Sequence, residues 1–346
     1  MSARRLAHLM GASILAVVVA ACSSSGSGGA DDRGGAPGSP RASAGCRDRA
    51  AAGIATGRDV RVTVAGGRWY LRHVPRSHDG RRPRPVVVEL HGYGVGAEKQ
   101  AEISGFGRYG DRRGFVTITP QGSGPVAMWD ATPGSADERF IGTVLDDVAA
   151  DLCVDLDRVY LVGMSNGAGM ASVLGCRFAD RVAAVAAVAG VRRPLGCRPS
   201  RPVPIVAFHG TDDRFAPWTG GIGENVKLLP APDGRGTIGS LDAVPEVLDP
   251  GGPPVPDVIA DWAALDGCGR RAEQRRVAPD VTMTRYPCPT GVGVELYRID
   301  GGGHTWPGST GPQGPEALVG STTTSISATR RAWSFMAAHP LVERDR

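Results

Sequence analysis

Apolar residues fall in short continuous runs separated by polar, glycine-rich stretches, and that rhythm sets the expected fold. Pro85 to Leu90 (PVVVEL), Phe115 to Thr119 (FVTIT) and Val159 to Val162 (VYLV) read as strands buried on both faces. Val203 to Phe208 (VPIVAF) and Val294 to Ile299 (VELYRI) read the same way. Between them lie helical candidates over Val144 to Leu152, Asn166 to Phe178, Val258 to Leu265 and Ala328 to Ala338. Strands alternating with helices imply an α/β fold, with a mainly parallel sheet covered on both faces. Asp59 to Val64 and Arg68 to Val74 alternate apolar and polar residues around Gly66-Gly67, which predicts an N-terminal hairpin and an antiparallel edge. The rhythm fails from Gly220 to Pro256, a stretch rich in Gly, Pro and Asp. A loop of that length is functional or mobile. Here it is either a cover over a site or a disordered insertion.

The N-terminus has a different pattern. Arg4 and Arg5 precede an apolar stretch from Leu9 to Ala21, too short for a typical membrane span. It ends Val19-Ala20-Ala21-Cys22, which resembles a bacterial lipobox, whose cysteine is diacylated and becomes the new N-terminus. The alternative is an ordinary secretory signal. Residues 23–44 are almost entirely Ser, Gly, Ala, Pro, Asp and Arg, a composition that cannot bury enough apolar surface to offset its ordering entropy. The expected organisation is a lipoprotein signal peptide over 1–21, a flexible tether over 22–45 and a catalytic domain over 46–346. The protein is then held by lipid at the extracellular face of the cell membrane, or secreted. The membrane is a partner only through that anchor.

Export makes the cysteines candidates for disulfides. With Cys22 lipidated, Cys46, Cys153, Cys176, Cys197, Cys268 and Cys288 remain. An even number in an oxidising compartment allows three bridges, and fifteen pairings are possible. Cys268–Cys288 and Cys176–Cys197 are the expected pairs, because each brackets a single element and its return. A zinc site is disfavoured, since neither Cys-x-x-Cys nor a nearby His pair occurs. The net charge of +4 is spread without a basic run, which argues against a nucleic-acid partner.

Gly163-Met164-Ser165-Asn166-Gly167 follows a buried strand and opens a helix of small residues. That is the setting of a nucleophile elbow, where a serine on a strained turn stands clear of an α/β-hydrolase sheet. Glycines on both flanks remove Cβ atoms that would clash. The Asn166 N–H, at the helix start, then points where an oxyanion would develop. A serine needs a base and an orienting acid, which follow in the order acid, then His. Past the strand VPIVAF, in His209-Gly210-Thr211-Asp212-Asp213, both aspartates qualify by position. His304 follows the last strand within DGGGHTWPG, where three glycines make an open, mobile loop able to reach over Ser165. Its imidazole would take the serine proton and return it to the leaving alcohol. His91-Gly92-Tyr93-Gly94 ends the strand VVVEL, and the Tyr93 N–H is assigned as the second oxyanion donor. His91 and His209 are expected to pack beneath their loops. Trp129, Trp218 and Trp306 lie in loops on the catalytic side, as aromatic walls for a substrate or as plain core.

These pieces together resemble the polyhydroxybutyrate depolymerase and feruloyl esterase family of secreted α/β-hydrolases. The resemblance rests on LHGYG at Leu90, LCVD at Leu152 and RVYLVGMSNGAGMAS at Arg158. It continues in AFHGTDD at Ala207, WAALDGC at Trp262 and DGGGHTWPG at Asp300, and spans roughly Gly57 to Pro340. It implies a serine esterase with no metal and no organic cofactor. Its substrates would be short hydroxyalkanoate, feruloyl or other aryl esters, or polysaccharide acyl esters. The family's acid occupies the fifth place of His-Gly-x-x-Asp, which selects Asp213 over Asp212. Polymer-degrading members often carry a substrate-binding domain after the catalytic one, whereas this chain ends soon after its last helical candidate, which speaks against insoluble polyester. The 220–256 stretch is longer and less regular than the family's segment there. Two other readings use the same residues: an envelope acyltransferase with the same triad, and a binding lipoprotein with an inactive site.

Overall fold

The computed structural model describes residues 40–46, 53–193, 196–243 and 252–341. The signal peptide, Cys22 and most of the tether lie outside the described residues.

At the centre of the fold is the run Arg84–Leu90 (β3), flanked on one side by Val116–Pro120 (β4) and on the other by Val154–Met164 (β5). All three pair in parallel, with Val88 opposite both Ile118 and Leu161. Beyond β5 the parallel set continues through Ala184–Val188 (β6), Ile205–Gly210 (β7) and Val294–Ile299 (β10). Asp59–Thr63 (β1) and Trp69–His73 (β2) form the expected antiparallel hairpin, which joins through β2 to β4. A second hairpin, Glu273–Ala278 (β8) and Val281–Arg285 (β9), closes the opposite edge against β10. The full order is β1-β2-β4-β3-β5-β6-β7-β10-β9-β8.

Alternate residues of the central strands feed two separate cores, the consequence of the two-residue side-chain period. Val86, Val88 and Leu90 join Ile118 and Leu161 on one face, beneath Ala136–Asp151 (α3), Asn166–Arg177 (α4) and Val255–Leu265 (α5). Val87 joins Tyr160 and Val162 on the other. That face is covered by Ala97–Ser104 (α1), Phe106–Arg113 (α2) and Ala328–Ala337 (α7). A short helix, Glu316–Val319 (α6), lies between β10 and α7. Burying each such aliphatic side chain contributes about 1.5–3 kcal/mol, which is why the runs of apolar residues locate the sheet.

Two sequence expectations need correction. The fold begins before Cys46: the Ser43 N–H donates to the Val154 carbonyl at 2.9 Å and the Ser43 hydroxyl to the Leu152 carbonyl at 2.6 Å. The segment 40–45 is therefore packed chain rather than tether. The helix predicted from Val144 starts a full two turns earlier, where the Ser135 hydroxyl accepts the Glu138 N–H at 3.1 Å as an N-cap. The second edge hairpin was not foreseen. Both expected disulfides are present, Cys176–Cys197 and Cys268–Cys288, and Cys46–Cys153 completes the set.

Candidate active site

Ser165 sits between the end of β5 and the start of α4, with φ 55° and ψ −123°. A non-glycine residue there costs about 1–3 kcal/mol and persists only where its surroundings force it. The forcing is visible. The Ser165 N–H donates to the Val188 carbonyl at 2.8 Å, and its carbonyl accepts the Ala168 and Gly169 N–H groups at 2.9 and 3.0 Å. Close backbone approach explains the two motif glycines. A Cβ on Gly163 would stand 2.2 Å from the Gly167 carbonyl oxygen, and one on Gly167 2.3 Å from that of Leu90. Gly190, which the sequence reading missed, closes the turn from behind: its Cβ would lie 2.4 Å from the Ser165 carbonyl oxygen.

The candidate acid and base follow neighbouring strands. β7 and β10 run parallel with Gly210 opposite Ile299, so the loops that follow them emerge side by side. That register closes a separation of 91 residues, and His304 Nδ1 donates to Asp213 Oδ2 at 2.7 Å. Asp213 is buried, and its other oxygen accepts the Phe215 and Ala216 N–H groups at 2.8 and 2.9 Å. Burial alone would push this carboxyl up, but the His304 imidazole, its hydrogen bond, His209 and the Ala216 N–H outweigh it and hold the group below the usual carboxylate range. Asp212 is exposed and accepts only from the Thr211 hydroxyl at 3.2 Å. Position along the chain left the two aspartates tied, whereas burial and the hydrogen bond to His304 separate them.

The His304 loop is not open. Gly303 lies where a Cβ would meet the Val319 carbonyl oxygen at 2.2 Å, and the His304 N–H donates to that same carbonyl at 2.6 Å. Gly302 and Gly303 serve close packing rather than mobility, while Gly301 supplies a positive φ of 72° at the turn. Phe215 packs on the imidazole with ring centroids 5.0 Å apart, shielding the pair from solvent; an aromatic two residues past the acid was the overlooked signal.

His91 and Asn166 fix the loop opposite. His91 is buried, donates from Nδ1 to the Gly92 carbonyl at 2.8 Å and accepts the Gly122 N–H at Nε2, also at 2.8 Å. Burial pushes its pKa down to about 4, so it is neutral, as both bonds require. The Asn166 side chain clasps the Trp129 backbone at both ends, at 2.7 and 3.0 Å. The Val95 N–H donates to the Gly92 carbonyl at 3.1 Å, turning the chain tightly around Tyr93. His209 is buried as expected, with Nε2 donating to the Ala216 carbonyl at 2.7 Å.

Ser165, His304, Tyr93 and Asn166 all border one cavity of about 280 Å³. Apolar residues, among them Met164, Val191, Phe215 and Leu318, form most of its wall. The irregular stretch after Asp213 supplies part of it through Ile222, Val226 and Leu229. The three tryptophans do not line it. Trp129 and Trp306 are wholly buried, their indole N–H groups donating to the His91 carbonyl at 2.9 Å and the Thr329 hydroxyl at 3.0 Å. Trp218 is half-buried behind His209, with ring centroids 6.2 Å apart. Trp129 and Trp306 are core and Trp218 packs against it, because each large ring removes more apolar surface from water beneath the loops than it could in an open wall.

Known proteins resemble this chain in sequence and in fold. The family model described as Esterase PHB depolymerase matches residues 70–194. The protein named "Putative esterase NocK", from Nocardia uniformis subsp. tsuyamanensis, is 31% identical over 298 residues, covering 81% of this chain and 82% of that protein. Feruloyl esterase B of Piromyces equi is 27% identical over 240 residues, which are 66% of this chain but 41% of that longer protein. The acetyl xylan esterase from Aspergillus awamori superposes with a TM-score of 0.50 at 14% identity, over 72% of this chain and 94% of that one, a likeness of fold. The fold is that of an α/β-hydrolase, and the chain belongs to the esterase PHB depolymerase family of serine esterases.

Proposed function

We propose that the protein hydrolyses carboxylic esters in two steps through an acyl-enzyme on Ser165. His304 Nε2 takes the Ser165 proton as the hydroxyl attacks the ester carbonyl, and the imidazole is oriented by its Nδ1–H bond to Asp213. The backbone N–H groups of Tyr93 and Asn166 receive the developing oxyanion. His304 then returns the proton to the leaving alcohol. Water, activated by the same imidazole, releases the acid and restores Ser165. The observation that carries this reading is the 2.7 Å bond from His304 to a buried Asp213, bordering the same cavity as a serine held at positive φ. No metal or organic cofactor takes part in the scheme. Feruloyl and acetyl groups esterified to polysaccharide are the favoured substrates, on the names of the relatives; short hydroxyalkanoate oligomers follow from the family. A cavity of about 280 Å³ with an apolar wall suits acyl groups of that size.

The proposed location is the outer face of the cell membrane, anchored by lipid on Cys22. The lipobox-like Val19-Ala20-Ala21-Cys22 supports it, and three disulfides suit an oxidising compartment. Hydrolysis of p-nitrophenyl esters from acetate to palmitate, with methyl ferulate and a hydroxybutyrate trimer alongside, tests the activity. Turnover by the wild type that vanishes in Ser165→Ala is the expected result. Equal turnover by both proteins would overturn it.

A further inference from the structure

The proposed chemistry uses His304 on one side of Asp213 and gives no part to the histidine on the other. His209 stands at the end of β7 and is only 2% exposed. Its Nε2 lies 2.7 Å from the Ala216 carbonyl, which can only accept, so Nε2 carries the proton. Burial, the largest influence, holds the imidazole below the ordinary histidine range, so the ring is neutral and Nδ1 is bare. That Nδ1 is buried and has no hydrogen-bond partner among the described residues. An aliphatic side chain would fill the same space without burying such an atom. Packing therefore does not account for the imidazole, and its role lies at the Nε2 edge.

That edge meets Asp213 in two ways. Nε2 stands 3.5 Å from Asp213 Oδ2, the same oxygen that accepts His304 Nδ1–H at 2.7 Å. At that distance the contact is electrostatic, the positive end of an N–H dipole set beside a carboxylate in a buried site. The second connection runs through Ala216. Its N–H donates to Asp213 Oδ1 at 2.9 Å while its carbonyl accepts from His209, so one residue is gripped at both ends. The resulting ring ties the Asp213 carboxyl to the end of β7. Asp213, His209 and His304 are the titratable groups that act on one another here. A neutral donor steadies the carboxylate, whereas a cation at His209 would compete with His304 for its charge.

We propose that His209 is a positioning residue for the ester hydrolysis: it holds Asp213 in the orientation that receives His304 Nδ1–H and draws part of the carboxylate's charge away from His304. The proposal rests on the esterase reading above. Removing the Nε2–H dipole leaves more of the Asp213 charge acting on the His304 imidazolium, so His304 then titrates at higher pH. A contribution of ordinary hydrogen-bond size corresponds to a shift of about half a pH unit.

The test contrasts two amides. His209→Gln keeps an N–H donor at the reach of Nε2, and His209→Asn falls short of it. NMR titration of His304 in a Ser165→Ala background compares them without turnover. His304 is expected to titrate about half a unit higher in His209→Asn and near its unsubstituted value in His209→Gln. With Ser165 in place, the acid limb of kcat/KM on a p-nitrophenyl ester should move by the same amount. There kcat should fall about tenfold in His209→Asn, with KM changed less than about twofold. A folded His209→Asn that melts lower but leaves the His304 titration unmoved would reduce His209 to packing and overturn the proposal. If neither variant folds, NMR of the wild type with nitrogen-labelled histidine reads the ring itself. A neutral His209 with its proton on Nε2 at neutral pH supports the proposal, and a charged ring or an Nδ1–H tautomer defeats it. Turnover with an unshifted His304 would sink the proposal and leave the esterase reading standing. A shifted His304 in a protein that hydrolyses no ester would support the contact and count against that reading.

Discussion

The two walls of the cavity are made differently. One is carried by β3 and β5, adjacent parallel strands at the middle of the sheet, and its turns are packed so tightly that Gly163 and Gly167 leave no room for a methyl group. The other, from Asp213 to Leu229 and from His304 to Val319, is mostly loop, with only a 3-10 turn at Glu224–Leu228 and the single turn of α6, held by individual hydrogen bonds. Tyr93 reaches Pro230 at 2.8 Å, Asn225 Nδ2 reaches the Leu318 carbonyl at 2.7 Å, and the Val255 N–H closes the neck of the insertion on the Trp218 carbonyl at 3.0 Å. Only the His304–Asp213 pair on that side is anchored directly by strand ends, through β7 and β10. The groups proposed to react are thus placed by the sheet, while the rest of the cavity wall is placed by loops, an arrangement in which loop changes would alter specificity without moving Ser165.

Several substitutions separate the two walls. The largest expected effect is at the acid: Asp213→Asn leaves His304 in the wrong tautomer and lowers kcat by about 10⁴-fold. Steady-state kinetics on a p-nitrophenyl ester reads it, and a loss under tenfold would remove Asp213 from the triad. Trp129→Ala, beneath the rigid wall, is expected to cost about 3–5 kcal/mol of stability in a denaturant titration. An unchanged midpoint with a raised KM would restore Trp129 as a substrate wall.

His91 gives a smaller, pH-dependent effect. Its folded-state pKa is depressed from 6.5 to about 4, so the stability it contributes is complete above about 6.5 and is lost as pH falls towards 4. The full contribution is at most about 3 kcal/mol. Glu89, buried two residues earlier, acts in the opposite sense: its pKa is raised to about 7, chiefly by burial, and its contribution is lost as pH rises through that value. The difference between wild type and His91→Gln across this range isolates the histidine, and parallel stability curves would contradict its neutral, doubly bonded state. On the loop wall, Tyr93→Phe keeps the backbone donor but frees the insertion from Pro230, and should raise KM about fivefold with little change in kcat. An equal fall in kcat would show that the insertion helps to place the oxyanion loop. Asp212→Asn should change kcat/KM less than twofold, since it is exposed and outside the pair.

The same division explains what the sequence disclosed. Runs such as PVVVEL and VYLV are apolar on both faces, so burial alone marks them as central strands, and the serine turn between VYLV and a small-residue helix followed at once. The second edge hairpin was illegible because β8 is exposed along much of its length, with Glu273, Gln274, Arg275 and Arg276 all facing solvent. β6 was passed over for the opposite reason: AVAAV carries three alanines, which fit a helix as readily as a strand buried on both faces. The early start of α3 was signalled by Ser135 and Glu138, an N-cap spacing that was there to be read. The tryptophans misled because loop position says nothing of depth; their burial depends on contacts to His91, Phe106 and Thr329, far away in the chain. Tyr93 was identified for its backbone and missed for its hydroxyl, whose partner lies 137 residues on.

On the proposed mechanism, Ser165 is an activated nucleophile facing the cavity. Incubation with a fluorophosphonate, followed by mass spectrometry of the peptides, tests it most directly. One stoichiometric adduct is expected on Ser165, absent from Ser165→Ala and formed far more slowly in His304→Ala. No adduct in the folded wild type, or an adduct on another residue, would contradict it.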